Sequence, residues 1–354
     1  MSVFVIGYYT LLLAGSCLAA YFNKRAAFLL LFSLTLVSFV LGIVGGTGAL
    51  RVVATCAGIL ALAAMVSYAF REFLIALSGD ELAKELRTAP LTAAFGMFVI
   101  FTYAVMGIFA PLIAPHGEAE VIASAFAPAD ENMLLGADQL GRDMFSRIVY
   151  GARNSVGLAL TATVAAFILG ALAGLLAATK GGWFDQLMGR VADVIMSIPS
   201  LIFALLMLSI FGPQTIVIIC AVAIIYAPRV FRLTRAVAGN VVVMDYIEAA
   251  KLRGEGTWYL IRREILPNST APLIAEFGLE FCFVFLLVAG LSFLGLGIQP
   301  PTADWGSMVR ENATLISFGD ITPLIPAAAI ALLTVAVNFV VDWMLFRSSG
   351  LKEQ

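Results

Sequence analysis

Charge is scarce in this sequence. Asp, Glu, Lys and Arg together make up 12% of its 354 residues, about half the share found in soluble domains. Histidine occurs once, at His116, and cysteine four times, at Cys17, Cys56, Cys220 and Cys282, each within a long apolar run. One histidine and no Cys-x-x-Cys pair leave nothing to build a zinc or haem site, so neither a metal nor a cofactor is expected. The cysteines read as small apolar fillers. Also missing are the Gly-x-x-x-x-Gly-Lys-Ser/Thr phosphate loop, the Gly-x-Ser-x-Gly elbow and His-Glu-x-x-His, so an enzyme reading finds little support. A net charge of −2 offers no footprint for nucleic acid.

Apolar residues, by contrast, make up 61% of the chain, more than a soluble fold of this length could hide, so lipid is expected to cover much of the surface. A spanning helix needs roughly 20 apolar residues to cross about 30 Å of hydrocarbon. Nine segments meet or approach that length: 3–21, 26–46, 52–70, 91–113, 155–178, 191–211, 215–232, 271–296 and 323–345. Basic residues mark cytoplasmic loops. Lys24 and Arg25, then Arg71, Lys84 and Arg87, then Lys180 and Arg190, the cluster from Arg229 to Arg263, and finally Arg347 and Lys352 share one side if the N-terminus lies outside and the C-terminus inside. The outer loop 114–154, with Arg142, Arg147 and Arg153, breaks the pattern.

Residues 3–20 could instead be a secretory signal, but no positive residue precedes the run, which favours a retained helix. The chain divides into a three-helix extension over 1–70, a cytoplasmic link over 71–90, a six-helix core over 91–347 and a tail over 348–354. In the link, Ser78 and Glu81 have the spacing of a helix-starting capping box, predicting a short helix over 79–87 that could rest on the membrane surface.

The most charged loop lies within 236–270. It reads Asp245-Tyr246-Ile247-Glu248-Ala249-Ala250-Lys251-Leu252-Arg253-Gly254, then Ile265-Leu266-Pro267-Asn268. Two short helices are expected, with Asp245 capping the first, Gly254 ending it in a left-handed turn and Pro267 stopping the second. Ala249 and Ala250 would leave a thin face for close approach, and Glu248 a directional acceptor.

This stretch resembles the EAA loop of binding-protein-dependent ABC permeases: Glu-Ala-Ala, three residues, Gly, nine residues, Ile, one residue, Leu-Pro, with Glu264 here at the Ile position. Further stretches are similar to the peptide-and-nickel branch of that family. They are Leu135-Gly136-Ala137-Asp138-Gln139-Leu140-Gly141-Arg142-Asp143, Tyr150-Gly151-Ala152-Arg153, Gly181-Gly182 with Asp185, Arg190, Asp193 and Pro199, Leu291-Ser292-Phe293-Leu294-Gly295-Leu296-Gly297, and Asn338 with Asp342. The resemblance implies an all-α polytopic permease with a six-helix type I importer core, in the bacterial inner membrane; the three added N-terminal helices read from the apolar runs lie outside that pattern. It implies ATPase coupling through Glu248, Ala249, Ala250, Gly254, Leu266 and Pro267. It also implies partners: a second, related permease subunit, two ABC ATPase subunits, and a periplasmic or lipid-anchored solute-binding protein. The chain itself would do no chemistry. Short peptides are the expected solute, with nickel complexes, glycosides or opine-like compounds behind them. A secondary transporter or channel subunit is the alternative from another class, and it would need no ATPase-docking loop.

Two sets of charged residues remain open to two readings. Within 138–153 the apolar residues follow helical spacing, predicting a helix at the outer interface. Asp138, Arg142, Asp143 and Arg147 there could receive the binding protein, or could form a structural cover over the helix ends. Glu276 and Glu280 sit four apart and share a face of the eighth span. Charge in the membrane faces a cavity or a partner. They could line the solute pathway and attract an amine, or pair with Arg229, Arg232 or a neighbouring subunit.

Overall fold

The computed structural model describes residues 11–348 except 13, 17, 20–24, 46–48, 132, 319 and 321. Most of the expected first span, Cys17, Lys24 and the tail from 349 therefore lie outside the described residues. Two compact units, Met1–Val99 and Ile100–Gln354, divide the chain. Among the described residues six helices are long and apolar enough to cross a membrane, or seven when a bent pair is taken as one span. The chain is an all-α polytopic membrane protein.

The first unit contains α1 (Arg25–Gly45), α2 (Ala49–Leu77), α3 (Asp80–Thr88) and the start of α4 (Leu91–Ile108). Phe28, Phe32 and Ala61 are buried between α1 and α2, with Phe28 against Tyr68 at 5.4 Å between ring centroids. Hydroxyls along these apolar helices turn back on their own backbone, Thr35 to Leu31 O at 2.8 Å and Ser67 to Ala63 O at 2.6 Å. That satisfies them where water is absent. Arg71 stacks over Tyr68 and donates to Ala89 O at 3.1 Å, which ties α2 to the end of α3. The capping box does not form: Gly79 is the N-cap of α3, and Ser78 instead donates to Leu74 O at 2.6 Å. Ser78 is still hydrogen-bonded into the end of α2, so its hydroxyl is already committed.

The second unit opens with an irregular stretch after α4 and then α5 (Met144–Lys180), α6 (Gly182–Met196), α7 (Ser200–Phe211), α8 (Thr215–Val242), α9 (Asp245–Leu252), α10 (Thr257–Phe293), α11 (Trp305–Asn312) and α12 (Leu324–Ser348). Its core gathers Trp305, Phe285, Met144, Leu208 and Ile218. Trp305 meets Tyr103 and Phe285 edge-on, at 5.2 and 6.1 Å. The closest helix pair is α5 with α8. Gly170 and Gly174 face the α8 backbone, where a Cβ on Gly174 would come within 2.8 Å of Phe231 O. Small residues at four-residue spacing permit this approach, as between helices in lipid generally.

Three expectations are corrected. The expected interface helix and the span after it are one helix, α5. Asp143 caps its start by accepting from Ser146 N at 3.0 Å, and a π turn at Ala152–Val156 carries the helix onward without a break. The expected span 191–211 is two helices, α6 and α7, meeting at 84°. Pro199, with no N–H to give, sits at that bend as the N-cap of α7. Pro267 does not stop a helix: a π turn at Leu260–Ile265 precedes it, and α10 runs on past both Pro267 and Pro272. The wider turn relieves the clash its ring would make with the preceding carbonyls.

Candidate functional site

The loop between α8 and α10 is built around one buried edge. Ile247 and Ala250, three apart on α9, pack against Leu175, Ala238, Leu260, Ile261 and Ile265. The opposite side carries Glu248, Ala249 and Lys251 at the surface. Ala250 thus serves the inner packing, and of the alanine pair only Ala249 is free for close approach. Asp245 does not cap the helix. Met244 is the N-cap, and Asp245 stands in the first turn beside Glu248, where negative charge suits the helix dipole. Gly254 has φ +83, the left-handed conformation glycine adopts without strain, and its N–H donates to Lys251 O at 2.9 Å. Around this helix Leu252 (84% exposed), Val243 (79%) and Trp258 (65%) are bare, and Leu266 and Pro267 are exposed at the start of the α10 rod.

Toward the membrane interior, Glu280 is 3% exposed and its Oε2 has no hydrogen-bond partner, while Glu276, one turn earlier, is half-buried. Neither forms an ion pair with Arg229 or Arg232. Arg232 pairs with Asp193 at 2.5 Å, and Arg235 pairs with Asp185, both on α6. Arg229 lies over the rings of Tyr226 and Phe283, at 5.2 and 5.3 Å.

The segment between α4 and α5 holds a buried ion cluster. Asp138 Oδ2 accepts from Arg142 Nε at 2.7 Å and faces Arg147 Nε at 3.2 Å. Glu311 on α11 lies 2.9 Å from Arg142 Nη2 and 3.4 Å from Arg147 Nη2. Asp138, Arg142, Asp143 and Arg147 are all buried, so they point into the protein. Glu118 joins the same network, with its Oε2 accepting from Asn154 at 3.0 Å and from Ala303 N at 2.9 Å, and its carbonyl accepting from Arg147. Ser155 donates to Asp304 Oδ1 at 2.8 Å, and Trp305 N–H donates to Ser155 Oγ at 3.0 Å. Sequence reasoning missed Glu118, Asn154, Asp304 and Glu311. The one available signal was that three arginines in a single loop would need carboxylates to face them.

Helices of this length and apolarity, with charged loops between them, define a multi-pass membrane protein. The chain belongs to the family described as binding-protein-dependent transport system inner membrane components, whose model matches residues 166–348. A dipeptide transport system permease protein of Alkalihalophilus pseudofirmus is 36% identical over 264 residues, covering 74% of this chain and 86% of that protein. A di/tripeptide transport system permease protein of Pseudomonas aeruginosa is 35% identical, over 70% of this chain and 84% of its own. A probable D,D-dipeptide transport system permease protein of Escherichia coli is 33% identical, over 75% and 89%.

Proposed function

We propose that this chain forms half of the translocation pathway of an ATP-driven importer of short peptides, with the ATP hydrolysed on separate chains. The observation that carries the reading is α9. It is anchored by Ile247 and Ala250 and turns Glu248, Ala249 and a bare apolar rim outward. Exposed apolar surface on a charged loop marks a protein contact. The spacing from Glu248 to Pro267 fits the loop by which family members engage their ATPases. The relatives named as dipeptide and di/tripeptide permeases supply the solute class.

In this reading the loop faces the cytoplasm, a second related permease completes the pathway, and a binding protein delivers solute outside. Asp138, Arg142, Asp143 and Arg147 serve that delivery indirectly, by holding the shape of the outer loop. Glu276 and Glu280 line the pathway.

Purification of the complex in mild detergent tests this. Two ATPase chains are expected to accompany the permease pair, and a cysteine at Lys251 should cross-link to one of them. Active transport by a preparation free of any ATPase would return the chain to the secondary transporter or channel class.

A further inference from the structure

Arg229 stands within a membrane-spanning helix, its residue exposed, with no ion pair among the described residues. An arginine so placed must face water or a partner of opposite charge. The neighbouring cations are already engaged, Arg232 by Asp193 and Arg235 by Asp185, which leaves Arg229 as the uncommitted cation of this part of α8. Its guanidinium lies over the rings of Tyr226 and Phe283, with Tyr226 in turn fixed by donating to Phe283 O at 3.1 Å. Stacking of this kind restrains the plane and keeps the N–H edges free for a carboxylate. On α10, Glu280 lies three residues before Phe283, whose ring Arg229 overlies, and neither Glu280 nor Glu276 forms an ion pair with Arg229. The buried Glu280 Oε2 has no hydrogen-bond donor.

We infer that Arg229 receives the free C-terminal carboxylate of a short peptide, while Glu276 and Glu280 receive its N-terminal ammonium, so that this permease reads both ends of a zwitterionic solute. The inference rests on the peptide-importer reading above and deepens it. A guanidinium forks onto a carboxylate with two parallel hydrogen bonds, and an ammonium offers three donors to acceptors one helical turn apart. Opposite charges kept apart in one place suit a solute that carries both. Arg229 is then a specificity residue inside the membrane, separate from the selection made by the binding protein.

The test is uptake by the complete complex in proteoliposomes, using dialanine, dialanine amide and N-acetyl-dialanine, with the same binding protein in every arm so that its own preference cancels. Arg229→Gln should lower the ratio of dialanine to amide uptake about tenfold, the worth of one charge-assisted contact. Glu276→Gln should lower the ratio of dialanine to the N-acetyl compound instead. Should the Gln variant fail to assemble, Arg229→Lys keeps the charge without the fork, and a drop of about threefold in the first ratio is expected. Ratios equal to wild type in assembled variants, with all uptake falling together, would overturn the inference and assign Arg229 to a charge on the second permease subunit. Uptake of no free dipeptide by the wild-type complex would remove the peptide reading itself, and this inference with it.

Discussion

Arg142 donates from Nη2 to Glu311 at 2.9 Å across 169 positions of the chain, with both side chains buried. The pair joins the loop before α5 to α11, and Asp138 and Arg147 complete the cluster. Removing one member of such a network leaves the remaining charges uncompensated. Glu311→Ala should therefore cost about 3–5 kcal/mol in unfolding of the detergent-solubilised protein. Glu131→Ala, at an exposed position in the same loop, should stay within about 0.5 kcal/mol. Equal effects of the two would mean that the cluster contributes no stability.

Coupling is tested at α9. Glu248→Lys reverses the charge turned outward, and Gly254→Pro forbids the φ of +83 that ends the helix. Each should abolish ATP-dependent uptake while the chain remains inserted at wild-type levels. Full uptake in both variants rules out the coupling role.

Topology is read by cysteine labelling. Cysteines at Gly45 or Gly117 should react with an impermeant reagent in intact cells, and those at Lys84 or Lys251 only after permeabilisation. Protection at Gly45 together with labelling at Lys84 would mean a different number of helices before the core.

For the extension, deletion of 1–70 with a new start before Ser78 should lower complex yield or thermal stability more than it changes solute preference. Its described hydroxyls bond within their own helices, leaving little to recognise a hydrophilic solute. Competition by a solute panel decides the matter: an altered ranking with assembly intact would place recognition in the extension.

For the carboxylates, Glu280→Gln should lower turnover per complex with complex yield kept, because Gln preserves size and hydrogen bonding while the charge is lost. Loss of complex with normal turnover in the survivors would instead assign Glu280 a structural role.

Helix existence was plain in the sequence because apolar runs of spanning length have few alternatives in lipid, and α4, α5, α8, α10 and α12 cover the segments expected of them. Breaks and continuities were harder to read. Pro199 bends its segment by 84°, whereas Pro267 and Pro272 lie inside an unbroken helix, because a π turn lies ahead of them. A periodicity argument sees the same residue type in both places. The loop motif gave the positions of Glu248 and Gly254 but not the orientation of Ala250, which depends on Leu175 and Ile261 from other helices. Capping expectations at Ser78 and Asp245 failed because the helices start at Gly79 and Met244, neither of which gives a side-chain cap. The ion cluster was half legible: its arginines and Asp138 stand together in one loop, while Glu118 is brought to them by the folding of that loop and Glu311 from 169 positions away.

Both α5 and α10 run 37 residues without a break. At about 1.5 Å per residue each is roughly 55 Å long, against a hydrocarbon layer of about 30 Å. A rigid rod of that length pivoting in a bilayer would act as a lever arm, with displacement at one end reappearing inverted at the other. A tilt of about 10° about its midpoint would swing each tip by roughly 5 Å, given that length. Arg147 stands at the start of α5 and Trp258 at the start of α10, each ahead of the π turn in its helix, so the ion cluster and the loop each sit at one end of a long arm.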